Sequence, residues 1–446
     1  MTAKARKLSS RAFARGFVGA FALRTVGAGM SLLATVVLAR ALGIAGFGIY
    51  SYALALVSLL SVPAQFGTGT VLTRFCASYE STEQYGRLKG LLRWANTVVL
   101  RSSLLFGAGA AVVLALFPGL LPEGDHRAVW LALMLLPLVS LGDLRAASLT
   151  GLHQYWKGQV PEMIVRPGGV LLMVGAVWLL RPDASFTPAE TMTYYLCATL
   201  AAFSVGAWWL WRSLPAAVHD AEPETEIPVW RRAGQVLTIT RGGAVILSRI
   251  DMIFLGALAG SAAAGVYRAA SALASLIAFG LLAVNVVAAP NFSRLSAEAD
   301  RGELVRTLAL ATKLALACAL PIIAVMIVFG RDIITAVYGK EFVGAYVPLV
   351  ILAVGQFVNA ATGPVGPLLA MTGQEKWNMV SALTAVVVSV PAYFVLVPPY
   401  GAIGAASAST LGLVVLYGIL TARAWYWLRL PPSSEGKTIE AGAHGR

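Results

Sequence analysis

Seven cations fall within strongly apolar stretches of this sequence: Arg24, Arg101, Arg166, Arg241, Arg249, Arg268 and Lys313. A charge at such depth in hydrocarbon costs several kcal/mol unless it meets a partner or a wet cavity. Carboxylates that could neutralise them are few. Asp251 lies deep, whereas Asp143 and Glu162 lie nearer the ends of their stretches. The excess is positive, and an anionic ligand is the simplest reason for it. Arginine suits such a ligand because its planar fork meets phosphate oxygens two at a time and keeps its proton.

The seven cations do not carry equal weight. Arg24 and Arg241 stand 217 positions apart, at equivalent places in an internal duplication described below, which anchoring at a lipid headgroup explains poorly. Arg24 also fits a shallow side chain that snorkels to the inner headgroups. Arg249 lies eight residues beyond Arg241, about 80° around a helix and about 12 Å along it. Asp251 is two residues from Arg249 and faces elsewhere on a helix, so its expected partner is Arg268, across a turn, in a gating or coupling pair. Arg101, Arg166 and Lys313 also fit side chains that snorkel to the membrane surface. Trp208, Trp209, Trp211, Trp425 and Trp427 read as interfacial belts.

Other chemistry lacks its residues. The four histidines are scattered, with no metal-ligand spacing, and no cofactor is expected. Neither a Gly-x-Ser-x-Gly elbow nor a Walker A loop occurs, so no hydrolase or ATPase is implied. Cys76, Cys197 and Cys318 are far apart and read as packing residues.

The elements that must position these charges are membrane helices. The 446 residues are 58 % hydrophobic and only 12 % charged, against about 25 % charged in a soluble domain. Twelve apolar runs are predicted, at about 18–41, 46–68, 94–117, 128–149, 160–180, 190–212, 234–258, 264–288, 307–329, 344–370, 378–398 and 402–428. With both ends cytoplasmic, the inner ends and loops hold 22 Lys and Arg and the outer loops five. The formal charge of +13 is thus a topology signal, and no nucleic acid is implied. The predicted organisation is a basic N-terminus (1–16), an N-lobe (17–213), a cytoplasmic linker (214–233), a C-lobe (234–428) and a disordered tail (429–446).

Within this frame Leu38–Leu60, LARALGIAGFGIYSYALALVSLL, returns as Leu255–Ile277, LGALAGSAAAGVYRAASALASLI, with ten of 23 positions identical. Six spans separate the copies, so both face the same way. The expected fold is an all-α polytopic membrane protein: twelve helices in two parallel, pseudo-symmetric six-helix lobes around a central cavity.

Several phrases carry a resemblance. VLARALGIAGFGIYSYA with FGTGTVLTRF, then SRIDMIFLGALAGSAAAGVYRAA, APNFSRLSAEAD, VYGKEFVGA and LLAMTGQEKW, resemble the polysaccharide transporters. These are the Wzx-type lipid-linked oligosaccharide flippases of the multidrug/oligosaccharidyl-lipid/polysaccharide exporter superfamily. The resemblance implies a monomeric carrier in the bacterial cytoplasmic (inner) membrane. It would turn an undecaprenyl-pyrophosphate-linked repeat unit of O-antigen, capsule or exopolysaccharide to the outer leaflet by alternating access. Arg24, Arg241 and Arg249 would hold the pyrophosphate, and H+ or Na+ would drive the cycle. Membrane lipids and a polymerase or ligase are the implied partners. Related lipid II flippases carry two further C-terminal helices, and drug-extruding relatives an acid in the first span, which residues 18–41 lack. A drug/cation antiporter and an integral-membrane glycan polymerase or ligase are the alternatives.

Overall fold

The computed structural model describes residues 3–181, 185–234, 246–298 and 300–429. Among them the chain is helical throughout, with no strand. Eight helices are long and apolar enough to cross a membrane. Two of these are each a pair of spans. Ala3–Gln65 breaks at Gly43 (φ 66°, ψ −178°), and Lys376–Arg429 breaks at Gly401 (φ 51°, ψ −124°), conformations that side chains with a Cβ resist. A 26-residue helix, Pro188–Ser213, stands where the sixth span was expected. Residues 235–245, most of the first half of the seventh, lie outside the described residues. The protein is a polytopic all-α membrane protein.

The duplicated phrase forms the same local structure twice. Gly43 and its counterpart Gly260 both take positive φ (66° and 80°), so each copy turns a helical corner at the same residue. Beyond the corner, Gly48 and its counterpart Gly265 sit back to back. A Cβ on Gly48 would lie 1.8 Å from the Ser261 carbonyl oxygen, and one on Gly265 would lie 2.1 Å from that of Ile44. Ser261 is itself the counterpart of Ile44, so the contact is reciprocal, as a local two-fold axis between the copies requires. Glycine is the residue that lets two helix backbones approach so closely.

The chain forms two compact units: Met1–Ala269 with Ile334–Gly344, and Ala270–Ile333 with Ala345–Arg446. The glycine crossing places the second corner, through Ala269, within the first unit. There Arg40 donates from Nε to the Val337 carbonyl at 2.7 Å and from NH2 to that of Ala336, supplying cations to a helix C-terminus. Gly256 lies against the ring of Tyr52, whose hydroxyl donates to the Leu120 carbonyl at 2.8 Å. The second unit packs around Phe292, Leu304, Leu368 and Leu369, with a smaller cluster at Ile277, Ala319 and Ala353.

The predicted linker, 214–233, is built into the first unit. After a short helix, Ala216–Asp220, it runs over the helices Thr68–Ser81 and Tyr85–Leu116. Glu224 N–H donates to the Gly86 carbonyl at 3.0 Å, and a Cβ on Gly90 would lie 1.8 Å from the Glu224 oxygen. Lys89 Nζ donates to the carbonyls of His219 (2.6 Å) and Ala221 (2.9 Å). Trp230 is fully buried, and its Nε1 donates to Tyr79, whose hydroxyl donates to Glu226 Oε2 at 2.7 Å. Burial raises the Tyr79 phenol above its usual range. Two glycines and a buried tryptophan make this linker a strap on the first unit.

Candidate functional site

A cavity of about 360 Å³ lies wholly within the first unit. Ser31, Thr35, Tyr50, Ser51 and Ser58 line it from the Ala3–Gln65 helix, on both sides of the Gly43 corner. Glu162 and Arg166 come from the fifth predicted span, and Tyr195 from Pro188–Ser213. Arg249 precedes the helix Ile250–Leu258, and Arg268 follows the Gly260 corner. Three guanidiniums, one carboxylate and several hydroxyls therefore meet at membrane depth.

The carboxylate is shared. Pro161, which has no N–H to give, opens a π turn over Pro161–Val165, and Glu162 stands on it. Glu162 pairs directly with Arg166 and, at 2.9 Å, with Arg145. Arg145 is 4 % exposed and also donates from NH1 to the carbonyls of Ala202 (3.0 Å) and Phe203 (2.9 Å). Gly206 makes room for it, because a Cβ there would lie 2.3 Å from the guanidinium carbon. Arg166 NH1 donates to the Tyr195 hydroxyl at 3.2 Å, and Tyr50 packs edge-on against the Tyr195 ring. Asp143 accepts from Gln65 Nε2 at 2.8 Å. Two guanidiniums, those of Arg145 and Arg166, share the Glu162 carboxylate, and Arg249 and Arg268 line the same cavity. The arrangement can hold an anion.

The structure sorts the residues singled out from sequence. Arg249 and Arg268 are together in the cavity. Arg24 is exposed on its helix and donates from Nε to the Tyr155 hydroxyl at 3.1 Å, away from the cavity lining. Arg241 lies outside the described residues. Asp251 accepts from the Tyr267 hydroxyl (2.5 Å, Oδ2) and the Met252 N–H (2.7 Å, Oδ1), so those two groups orient its carboxylate. Arg101 and Lys313 are exposed on helix surfaces, as snorkelling side chains would be. Arg166 instead lines the cavity, and Arg145 is buried beside it, sharing Glu162.

Arg145, Tyr50 and Tyr195 were missed because apolar runs are read for charges at their centres, not for phenols or charges near their ends. Two signals were present. Glu162 and Arg166 are four apart, a pairing distance on a helix, and Tyr50 lies in the duplicated phrase opposite Tyr267.

The sequence and the fold have relatives. A family of polysaccharide biosynthesis proteins matches residues 13–296. A Haloferax volcanii protein described as a probable low-salt glycan biosynthesis flippase is 23 % identical over 404 residues, covering 90 % of this chain and 81 % of its own. An inward-facing multidrug resistance MATE family transporter of the MOP superfamily is similar with a TM-score of 0.72 at 15 % identity, over 90 % of this chain and 94 % of that one. The lipid II flippase MurJ in an inward closed conformation gives 0.69 at 15 % identity, over 90 % and 87 %.

Proposed function

Because the chain belongs to the polysaccharide biosynthesis protein family, we propose that it is a flippase for a lipid-linked oligosaccharide. The substrate is an undecaprenyl-pyrophosphate-linked repeat unit, turned from the cytoplasmic to the outer leaflet by alternating access between two lobes, 17–213 and 234–428. The observation that carries this reading is the cavity lined by Arg166, Arg249 and Arg268, with Glu162 its one lining carboxylate among the described residues. A pyrophosphate carries the charge opposite to these guanidiniums, and their planar forks fit its oxygens. A cationic drug would meet only repulsion from them.

In this reading Arg249 binds the pyrophosphate, and Arg24 and Arg241 receive it from the cytoplasmic leaflet. Asp251 and Arg268 couple the cycle to a proton or sodium gradient, since translocation against a gradient of product needs a driving ion. The protein works in a bacterial inner membrane with both termini cytoplasmic, beside a polymerase or ligase that consumes its product. The reaction makes and breaks no covalent bond.

The test is complementation of a strain deleted for this gene. Arg249→Ala and Arg268→Ala are expected to abolish surface glycan while the protein remains in the membrane at normal level. Arg24→Ala and Arg241→Ala are expected to do the same. Normal surface glycan from both cavity variants would overturn the assignment.

A further inference from the structure

A second cleft of the first unit, about 510 Å³ in volume, lies where the strap meets two membrane helices. Lys89, Arg93 and Asn96 line it from Tyr85–Leu116, and Trp211 from the end of Pro188–Ser213. Leu214 and Val218 line it from the strap. Both helices pack on Leu135–Gly151. Among the described residues no carboxylate lines this cleft.

Neither of its cations is neutralised. Lys89 Nζ donates to the carbonyls of His219 and Ala221, which carry no net charge, and an ammonium has a third N–H to give. Arg93 is exposed, with no hydrogen-bond or ion-pair partner among the described residues. Of the strap's acids, Glu224 and Glu226 pair with Arg87 at 3.4 and 3.2 Å, and Asp220 and Glu222 do not line the cleft. The cleft therefore attracts an anion.

The same helices say what kind of anion. Arg93, Asn96, Leu100 and Leu104 follow at spacings of three, four and four, so they share one face of their helix, and all are exposed. Trp211, Trp208, Ser204 and Leu200 repeat that spacing on Pro188–Ser213 and are exposed too. Each face thus runs from a charged or indole group at the cleft to leucine deeper in the span. Tryptophan settles at headgroup level in a bilayer. Leu104 lies about 16 Å along the helix from Arg93. That is the hydrocarbon depth of one leaflet, half of about 30 Å. A soluble anion would use the cations alone, whereas a phospholipid meets the cations, the indoles and the leucines together.

We propose that this cleft seats the headgroup of an anionic phospholipid, with its phosphate on Arg93 and Lys89 and its acyl chains along the two leucine faces. Basic pockets between membrane helices take such headgroups by the same chemistry. Because Lys89 also holds two strap carbonyls, the bound lipid ties the strap to the membrane surface. The site is independent of what the charged cavity carries.

The test uses the purified full-length chain in detergent and follows the first lipid bound by native mass spectrometry. Phosphatidylglycerol and phosphatidylcholine with identical acyl chains are the probes. One basic residue at an anionic lipid is worth about 1 kcal/mol, or about fivefold in affinity. Wild type is expected to bind phosphatidylglycerol at least fivefold more tightly than phosphatidylcholine. Arg93→Gln should lose about fivefold for phosphatidylglycerol, stay within twofold for phosphatidylcholine and keep its Tm in detergent, and Arg93→Lys should restore the loss. Arg232→Gln removes an exposed cation of the same strap that does not line the cleft, and should leave both affinities within twofold. Equal loss in Arg232→Gln and Arg93→Gln would mean diffuse surface charge and overturn the site. So would a wild type without preference, or a preference that survives Arg93→Gln. Displacement of phosphatidylglycerol by inorganic phosphate at constant ionic strength would give the cleft to a soluble anion and overturn it too.

Discussion

Glu162 is the residue on which the charged site turns. It is the one carboxylate lining the cavity and it holds two guanidiniums, Arg145 and Arg166. Removing one member of a buried ion pair costs about 3–5 kcal/mol, because the other charge stays buried. Glu162→Ala is therefore expected to lower Tm and membrane yield sharply, measured by fluorescence-detected size exclusion of the solubilised protein. Arg249→Ala and Arg268→Ala differ in kind. Both line the cavity in which the proposed function seats the pyrophosphate, so binding should fall tenfold or more with a smaller loss of Tm than Glu162→Ala gives. A fall in Tm with either, matching that of Glu162→Ala, would show that these arginines brace the fold and do not serve a ligand.

Two elements carry the next scale: the glycine crossing and the strap. At the crossing, Gly48→Ala and Gly265→Ala each set a methyl group against a backbone carbonyl that cannot retreat far. Overpacking of this sort costs about 1–3 kcal/mol. The contact is reciprocal, so the two substitutions should lower Tm by similar amounts, and the double variant by less than their sum because both relieve the same contact. For the strap, Trp230 and Cys76 belong to one core cluster. Burial pushes the Cys76 thiol up to about 12, leaving on the order of one thiolate in 10⁵ at pH 7. Cys76 should resist maleimide in the native protein. Trp230→Ala, a core truncation of about 3–5 kcal/mol, should release the strap and make Cys76 label readily, read by intact mass.

At the scale of the whole molecule, the duplicated phrase contributes to two unlike pockets: Ser58 lines a charged one in the first unit, and its counterpart Ser275 lines an uncharged one in the second. The proposed function is tested at this scale by its dependence on an ion gradient. In proteoliposomes, transfer of an undecaprenyl-pyrophosphate-linked glycan should accelerate when a proton or sodium gradient is imposed. It should return to the basal rate when an ionophore for that ion collapses the gradient. A rate indifferent to both gradients would remove ion coupling.

Much of this was legible in the order of residues. Apolar runs of about 20 residues can only be membrane helices, because hydrocarbon offers no partner for an open backbone. Glycines repeated at 43/260 and 48/265 mark corners and crossings, because no other residue tolerates those torsions or that approach. The cations at depth pointed to an anion; of the three named for it Arg249 lines a cavity, beside Arg268, which was named for gating or coupling. What sequence could not decide was partnership. Arg145 and Arg166 look like ordinary helix-end and snorkelling cations until the π turn at Pro161 brings Glu162 between them. Residues 214–233 look like a linker until Gly86 and Gly90 admit their backbone. Depth in the membrane is a property of position along the chain. Which charges neutralise one another depends on contacts between residues tens of positions apart, and only the tertiary structure sets those.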